Sequence, residues 1–407
     1  MKRVAFLLAL TLCAAPFAFG QTLTIGTNVT SPNGSDLPVS DTRTDISLDG
    51  ATAGGTISSV TVYWSNSACA NAFMIAAFRR AGDLLIPIGE RGPFTTTSNL
   101  MTIQLTPPLA VEQGDLLGIV RIGNCGNPGT QTGVPTEGYL SYAGHVTANT
   151  TILDGTRSSS ALALYGTGTA TDSLGAILPA VGSVKGQFGS TFKTSLQVLN
   201  TSSSVMSGHL VFHQQGVAGS PLDPASSYTI PAGQQLTFDL GDLAFPSGLG
   251  SVDVFVNAGT ATPQIVARVY NDAGTAGTAG FFEVPVAASD STGRTISKGQ
   301  TAYMVSPVDP ARTRFNIGVR TLFDGAELTA QLLDNIGRVV TTVSKRYPAN
   351  YFEQVDAASF FNGVAVGASK TIKITVNDGS AIVYGSITDN VTNDPSVEYA
   401  IVPGGTQ

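Results

Sequence analysis

Three histidines, His145, His209 and His213, are the first residues to weigh for chemistry. Two of them stand four apart in Gly208-His209-Leu210-Val211-Phe212-His213-Gln214. On a helix that spacing would set both rings on one face, as zinc chelation requires. Here the segment alternates like a strand, on which residues four apart lie about 13 Å from each other. The reading is two surface histidines on one side of a sheet, opposite Leu210 and Phe212, sharing no metal. A hydrolytic triad is equally poorly supplied, because no Gly-x-Ser-x-Gly turn is present. Gly367-Ala368-Ser369-Lys370-Thr371 lacks the second glycine, and Gly186-Gln187-Phe188-Gly189-Ser190 has Phe188 where the nucleophile belongs.

Glycoside hydrolysis needs two facing carboxylates. Glu90, Glu112 and Glu137 are the candidates, all in turn-like contexts in the first part of the chain. They define the alternative reading of the protein, an extracellular polysaccharide hydrolase. Structural calcium is the one cofactor the sequence suggests. Asp36, Asp41, Asp45 and Asp49 recur through an early loop-rich stretch, and hard cations take oxygen ligands. Asn271-Asp272 and Asp389-Asn390 mark equivalent turns further on, where Asx residues also serve the backbone alone. For sugar stacking, Trp64 shares its strand face with Val60 and Val62 and is assigned to the core. Tyr63 and Tyr142 remain as the exposed aromatic candidates for ligand binding.

The elements that must position these residues are strands. Only 12% of residues are charged, Gly numbers 46 and Pro 21, and β-branched runs are punctuated by turn residues throughout, which predicts an all-β chain. In Thr56–Trp64 the alternation sends Val60, Val62 and Trp64 inward; in Thr371–Val376 it does the same for Ile372, Ile374 and Val376. No capped amphipathic run is long enough for a helix, apart from one helical turn over Asp356–Phe361.

Residues 1–20 read as a cleavable signal peptide. Lys2 and Arg3 precede a short apolar run, and Ala18-Phe19-Gly20 offers small residues at the cleavage positions. Losing Lys2 and Arg3 takes the formal charge from −7 to −9. An acidic, basic-poor chain has no electrostatic footprint for nucleic acid, and no later run is long enough for a transmembrane helix. The expected location is secreted or cell-surface, where Cys69 and Cys125 would pair as a disulfide.

Composition shifts near Gly166–Asp172 and Ala288–Gly293 divide the mature chain into modules 21–168, 175–288 and 299–407, expected to pack in a semi-rigid row. The last two look duplicated. Ile230-Pro231-Ala232-Gly233 aligns with Tyr347-Pro348-Ala349-Asn350, Phe238-Asp239 with Val355-Asp356, and Ile265-Val266 with Ile382-Val383, all 117 residues apart. A period this long indicates duplicated globular domains rather than a solenoid.

Each copy has the size and strand number of an immunoglobulin-like sandwich. Val269-Tyr270-Asn271-Asp272 followed by Gly277-Thr278-Ala279-Gly280-Phe281-Phe282 resembles repeat modules of large secreted proteins of environmental bacteria. Pro108–Ile119, with its Gly114-Asp115 turn between apolar runs, is similar to the hairpin of secreted jelly-roll domains. These resemblances imply a jelly-roll-like first module, two immunoglobulin-like repeats and an extracytoplasmic location, with no specific activity. The resulting expectation is a non-catalytic binding or structural protein whose first module engages an extracellular glycan or a surface protein.

Overall fold

Alternating runs become strands that bury every second side chain. In the strand Gly54–Tyr63, Val60 and Val62 point inward, and Trp64 follows them fully buried. A register shift between Ile57 and Ser59 turns Ile57 to the same side despite its odd spacing. The structure, a computed structural model, describes residues 22–35, 41–220, 223–243, 245–287, 290 and 292–404. The expected signal peptide lies outside them. The described chain is nearly all β and sandwich-like. Its helix is confined to Ala357–Phe360, within the expected turn, and three short 3-10 turns.

In the first module a seven-stranded antiparallel sheet packs against Thr22–Thr27, Leu164–Lys185, Gly54–Tyr63 and Leu100–Val111. The strand Leu116–Arg121 is buried on both sides. Leu117 and Ile119 enter the core between the sheets, while Leu116 and Val120 join Phe78, Leu140 and Tyr142 on the outer face. Cys69 and Cys125 are disulfide-bonded, tying the loop before Phe73–Ala81 to the loop after Leu116–Arg121.

The stretch expected to be the first linker is instead the middle of a strand. Leu164–Lys185 runs unbroken for 22 residues, pairing with Gly54–Tyr63 along its first half and with Gly248–Asn257 along its second. Its small residues permit close strand approach rather than bending. A Cβ on Gly168 would stand 1.8 Å from the Thr56 carbonyl oxygen. The first two modules therefore share one continuous sheet.

The second and third modules follow one pairing scheme. Thr191–Leu199 lies between Gln235–Asp239 and Gln264–Asp272, and Met206–Gln214 lies between Ala225–Ile230 and Gly248–Asn257. In the third module the single strand Thr313–Leu333 fills both central places. Its first half pairs with Phe352–Asp356, its second with Val339–Tyr347, and both halves with Thr371–Asp389. Ile265 pairs with Val198 and Val383 with Val319. Ile265 enters the core of the second module as Val383 does that of the third, whereas Ile382, its partner in the aligned sequence, faces the contact between the modules.

The modules are not in a row, because the third touches both others. Ile177 and Val286 of the second module form a shared apolar cluster with Ile382, Leu322 and Phe323 of the third. Arg157 of the first module pairs with Asp378 of the third, Lys298 with Glu137 at 3.3 Å, and Arg346 with Asp83 at 3.2 Å.

Candidate functional site

The sequence candidates in the first module are dispersed. Tyr142, expected at the surface, is buried among Phe78, Leu116 and Leu140, and its hydroxyl donates to the Thr151 carbonyl at 3.1 Å. Burial pushes its phenol up to about 12. Tyr63 is half-buried against Val29 and Ala163. Trp64 is core, as its alternation required; its indole donates to the Cys125 carbonyl at 2.8 Å and its ring packs on Phe73.

Asp45 is buried, accepts from the Ser141 hydroxyl and stands 3.4 Å from Arg43 Nε, while Asp41 is exposed. Asp49 accepts from the Thr136 hydroxyl at 2.6 Å and the Glu137 amide at 2.9 Å. Asp36 lies outside the described residues. Among the described residues no group of three or more His, Cys, Asp or Glu could hold a metal ion. In the later turns, Asp272 accepts from the Gly274 amide and Lys193, and Asp389 from the Val391 and Thr392 amides and Arg312. The glutamates each meet different basic partners. Glu90 lies 2.8 Å from His145, Glu112 2.7 Å from Arg79, and Glu137 3.3 Å from Lys298.

The expectation of two surface histidines is corrected at His213 by module packing, while His209 is half-buried. Alternation does place His209 and His213 opposite the core residues Leu210 and Phe212. The His209 ring stacks on Phe255. His213 is buried, with Nδ1 2.7 Å from Asp223 and Nε2 3.0 Å from Asp253. Asp253 in turn accepts from Arg320 of the third module at 2.8 Å, and Arg320 has no solvent exposure. This face of the second module is covered by the third rather than by water. Burial pulls the His213 pKa down and Arg320 adds to that, but Asp253 and Asp223 outweigh both and leave it raised.

Beside this junction lies a cleft of about 540 Å³ between the second and third modules, within the usual size of small-ligand pockets. One wall is a sheet face whose polarity follows from strand period. On Thr313–Leu333, Phe315 and Ile317 enter the core, so Arg314, Asn316 and Gly318 face the cleft, and the row ends inside at Arg320. On Thr371–Asp389, Tyr384, Ser386 and Thr388 face it; on Phe352–Asp356, Gln354 and Asp356 do. Register aligns Asp356, Asn316 and Ser386 in one rung, and Gln354, Gly318 and Tyr384 in the next, where neighbours stand about 5 Å apart. Gly318 is required there: a Cβ would stand 2.1 Å from the Tyr384 ring, which crosses it to donate to Gln354 Oε1 at 2.9 Å.

The facing wall comes from the second module, with Val181 and Leu249 apolar and Gln214, Gln215 and Lys185 polar. Ala180, Leu249, Phe352 and Tyr384 form an apolar floor spanning both modules. Arg314 is held at the rim by Asn393 at 2.8 Å and by the Phe188 ring. Amides and hydroxyls dominate the polar lining. Gln214, Gln215, Asn316, Gln354, Ser386 and Thr388 give this lining both donors and acceptors of hydrogen bonds. Sequence reasoning missed this site. Its signal was the outward row Tyr384, Ser386, Thr388 on a strand otherwise apolar inward, repeated by Arg314 and Asn316 on the neighbouring strand.

No helix among the described residues is long and apolar enough to cross a membrane, and the disulfide is consistent with an extracellular location. No protein-family model matches the chain, and no curated protein shows significant similarity to it.

Proposed function

We propose that this chain is a non-catalytic, extracytoplasmic binding protein that holds a short neutral glycan in the cleft between its second and third modules. The observation that carries the reading is the ordered polar face of Gln354, Asn316, Ser386 and Thr388 opposite Val181 and Leu249. Amides and hydroxyls match the donors and acceptors of sugar hydroxyls, and the aliphatic wall matches the C–H faces of the rings. The hydrolase alternative draws less support, since Glu90, Glu112 and Glu137 each have basic partners not shared with the others.

The test incubates the purified full chain with a panel of polysaccharides and soluble oligosaccharides, measuring retention and released reducing sugar together. Retention without release is expected, and the pair Asn316→Ala and Ser386→Ala should weaken it about tenfold or more, two hydrogen-bonding groups being lost. Sugar release would refute the non-catalytic reading. Retention unaffected by the two substitutions would remove the cleft from consideration, and failure to retain any glycan would end the glycan reading.

A further inference from the structure

A second cavity, of about 210 Å³, lies between the first and third modules, away from the cleft. It exists because Arg80 continues the outer face of the strand Phe73–Ala81 beyond Ala76 and Phe78, to the point where the third module covers it. The other cations at this junction have partners. Arg157 Nη2 donates to Asp378 at 2.9 Å, Lys298 lies 3.1 Å from Asp378, and Arg346 stands 3.2 Å from Asp83. Arg80 makes no hydrogen bond or ion pair among the described residues, and its Nε is shut off from solvent. The two terminal guanidinium nitrogens are therefore the part of Arg80 left open to the cavity. A guanidinium stays charged in a protein, so it calls for an acceptor anion.

The rest of the lining indicates what carries that anion. Leu140, Ile152 and Pro348 give the cavity apolar walls, which suit an organic body better than a hydrated inorganic ion. Planar guanidinium groups pair with carboxylates through two parallel hydrogen bonds. We propose that this cavity binds a small organic carboxylate, with Arg80 as the group that receives the carboxylate oxygens.

Asp324 makes the site sensitive to acid. It stands on the opposite, third-module side of the cavity, where one oxygen accepts from the Ser380 hydroxyl at 3.0 Å and the other is buried without a partner. Burial pushes its carboxyl up to about 6, with Ser380 and Arg80 opposing and Glu137 adding to the rise. Below that pH Asp324 is neutral, which leaves Asp378 as the carboxylate still acting on Arg80. Above it, the Asp324 carboxylate repels an entering anion. Asp378, Arg157 and Arg346 also face this space, but each is engaged in an ion pair. Asp83 is the partner of Arg346, and Glu327 lies exposed at the edge.

Calorimetric titration of the full chain with butyrate, glucuronate and inorganic sulfate, at pH 5.5 and pH 7.5, tests this. A carboxylate should bind about tenfold more tightly at pH 5.5, as expected when one coupled proton is taken up near pH 6. Arg80→Gln should abolish binding at both pH values. Asp324→Asn should give binding at pH 7.5 as tight as at pH 5.5, a gain that a misfolded variant would not show. The proposal is overturned if neither carboxylate binds, if sulfate binds as well as they do, or if Arg80→Gln binds like the parent while melting at the same temperature.

Discussion

Replacing Glu283 by Gln isolates one buried charge at the contact between the second and third modules. Glu283 ends the strand Thr278–Glu283 with almost no exposure; Oε1 accepts from the Tyr399 hydroxyl of the third module, and Oε2 is buried without a partner. Burial pushes its carboxyl up from 4.5 to about 7, against the opposing pull of Tyr399, the Ala180 amide and Arg294. A folded-state value above the unfolded one means the contribution to stability is fully present below pH 4.5 and is lost as pH rises through about 7. A displacement of that size corresponds to about 3 kcal/mol at 1.36 kcal/mol for each tenfold change. Gln cannot ionise, keeps the acceptor for Tyr399 and has nearly the same shape. Any cost of leaving its amide unpaired is independent of pH. Denaturant unfolding of parent and variant at pH 4.5 and pH 8 should therefore give a stability difference that shifts by about 3 kcal/mol in favour of Gln at the higher pH. A difference that stays constant between the two pH values would refute the buried-charge argument.

Asp253→Asn should cost about 3–5 kcal/mol, because it leaves Arg320 buried and charged with Nε and Nη1 already lacking partners; unfolding at constant pH measures it. The raised His213 pKa adds a separate dependence. Its contribution is present below about pH 6.5, the unfolded value, and is lost as pH rises through the folded one. His213→Gln should flatten that part of the stability profile above pH 6.5, as thermal melts across pH would show. Removing the disulfide by Cys69→Ser with Cys125→Ser should lower stability by about 4 kcal/mol on the chain-entropy model for a 56-residue separation; calorimetry with and without reductant checks this. Gly168→Val should disrupt the sheet shared by the first two modules, because the new Cβ overlaps the Thr56 backbone; a drop in melting temperature with retained secondary structure would be the signature.

Local pattern carried what is local. Alternation sends Val60, Val62, Trp64, Ile372, Ile374 and Val376 inward, and each is buried. The pairing of Cys69 with Cys125 followed from an isolated cysteine pair together with the expectation of export. Glycine misled at Gly166–Asp172. Small polar residues read as a linker, yet Gly168 is there because Thr56 leaves no room for a side chain. The same difficulty hid the buried groups. His213, Asp253 and Arg320 occupy strand positions opposite their own cores, which predicts solvent, and only the docking of a second sheet turns that side into an interface.

Strand content, the inward residues and the covalent cross-link are thus determined by the sequence by itself, since each depends on neighbours a few residues away or on one chemical pair. The shared sheet, the three-way packing of modules and both cavities were decided only in the tertiary structure. Their walls bring together residues as distant as Arg80 and Asp324, or Gln214 and Tyr384. Period-two patterning states which side of a strand is polar; it contains no information about what that side will meet.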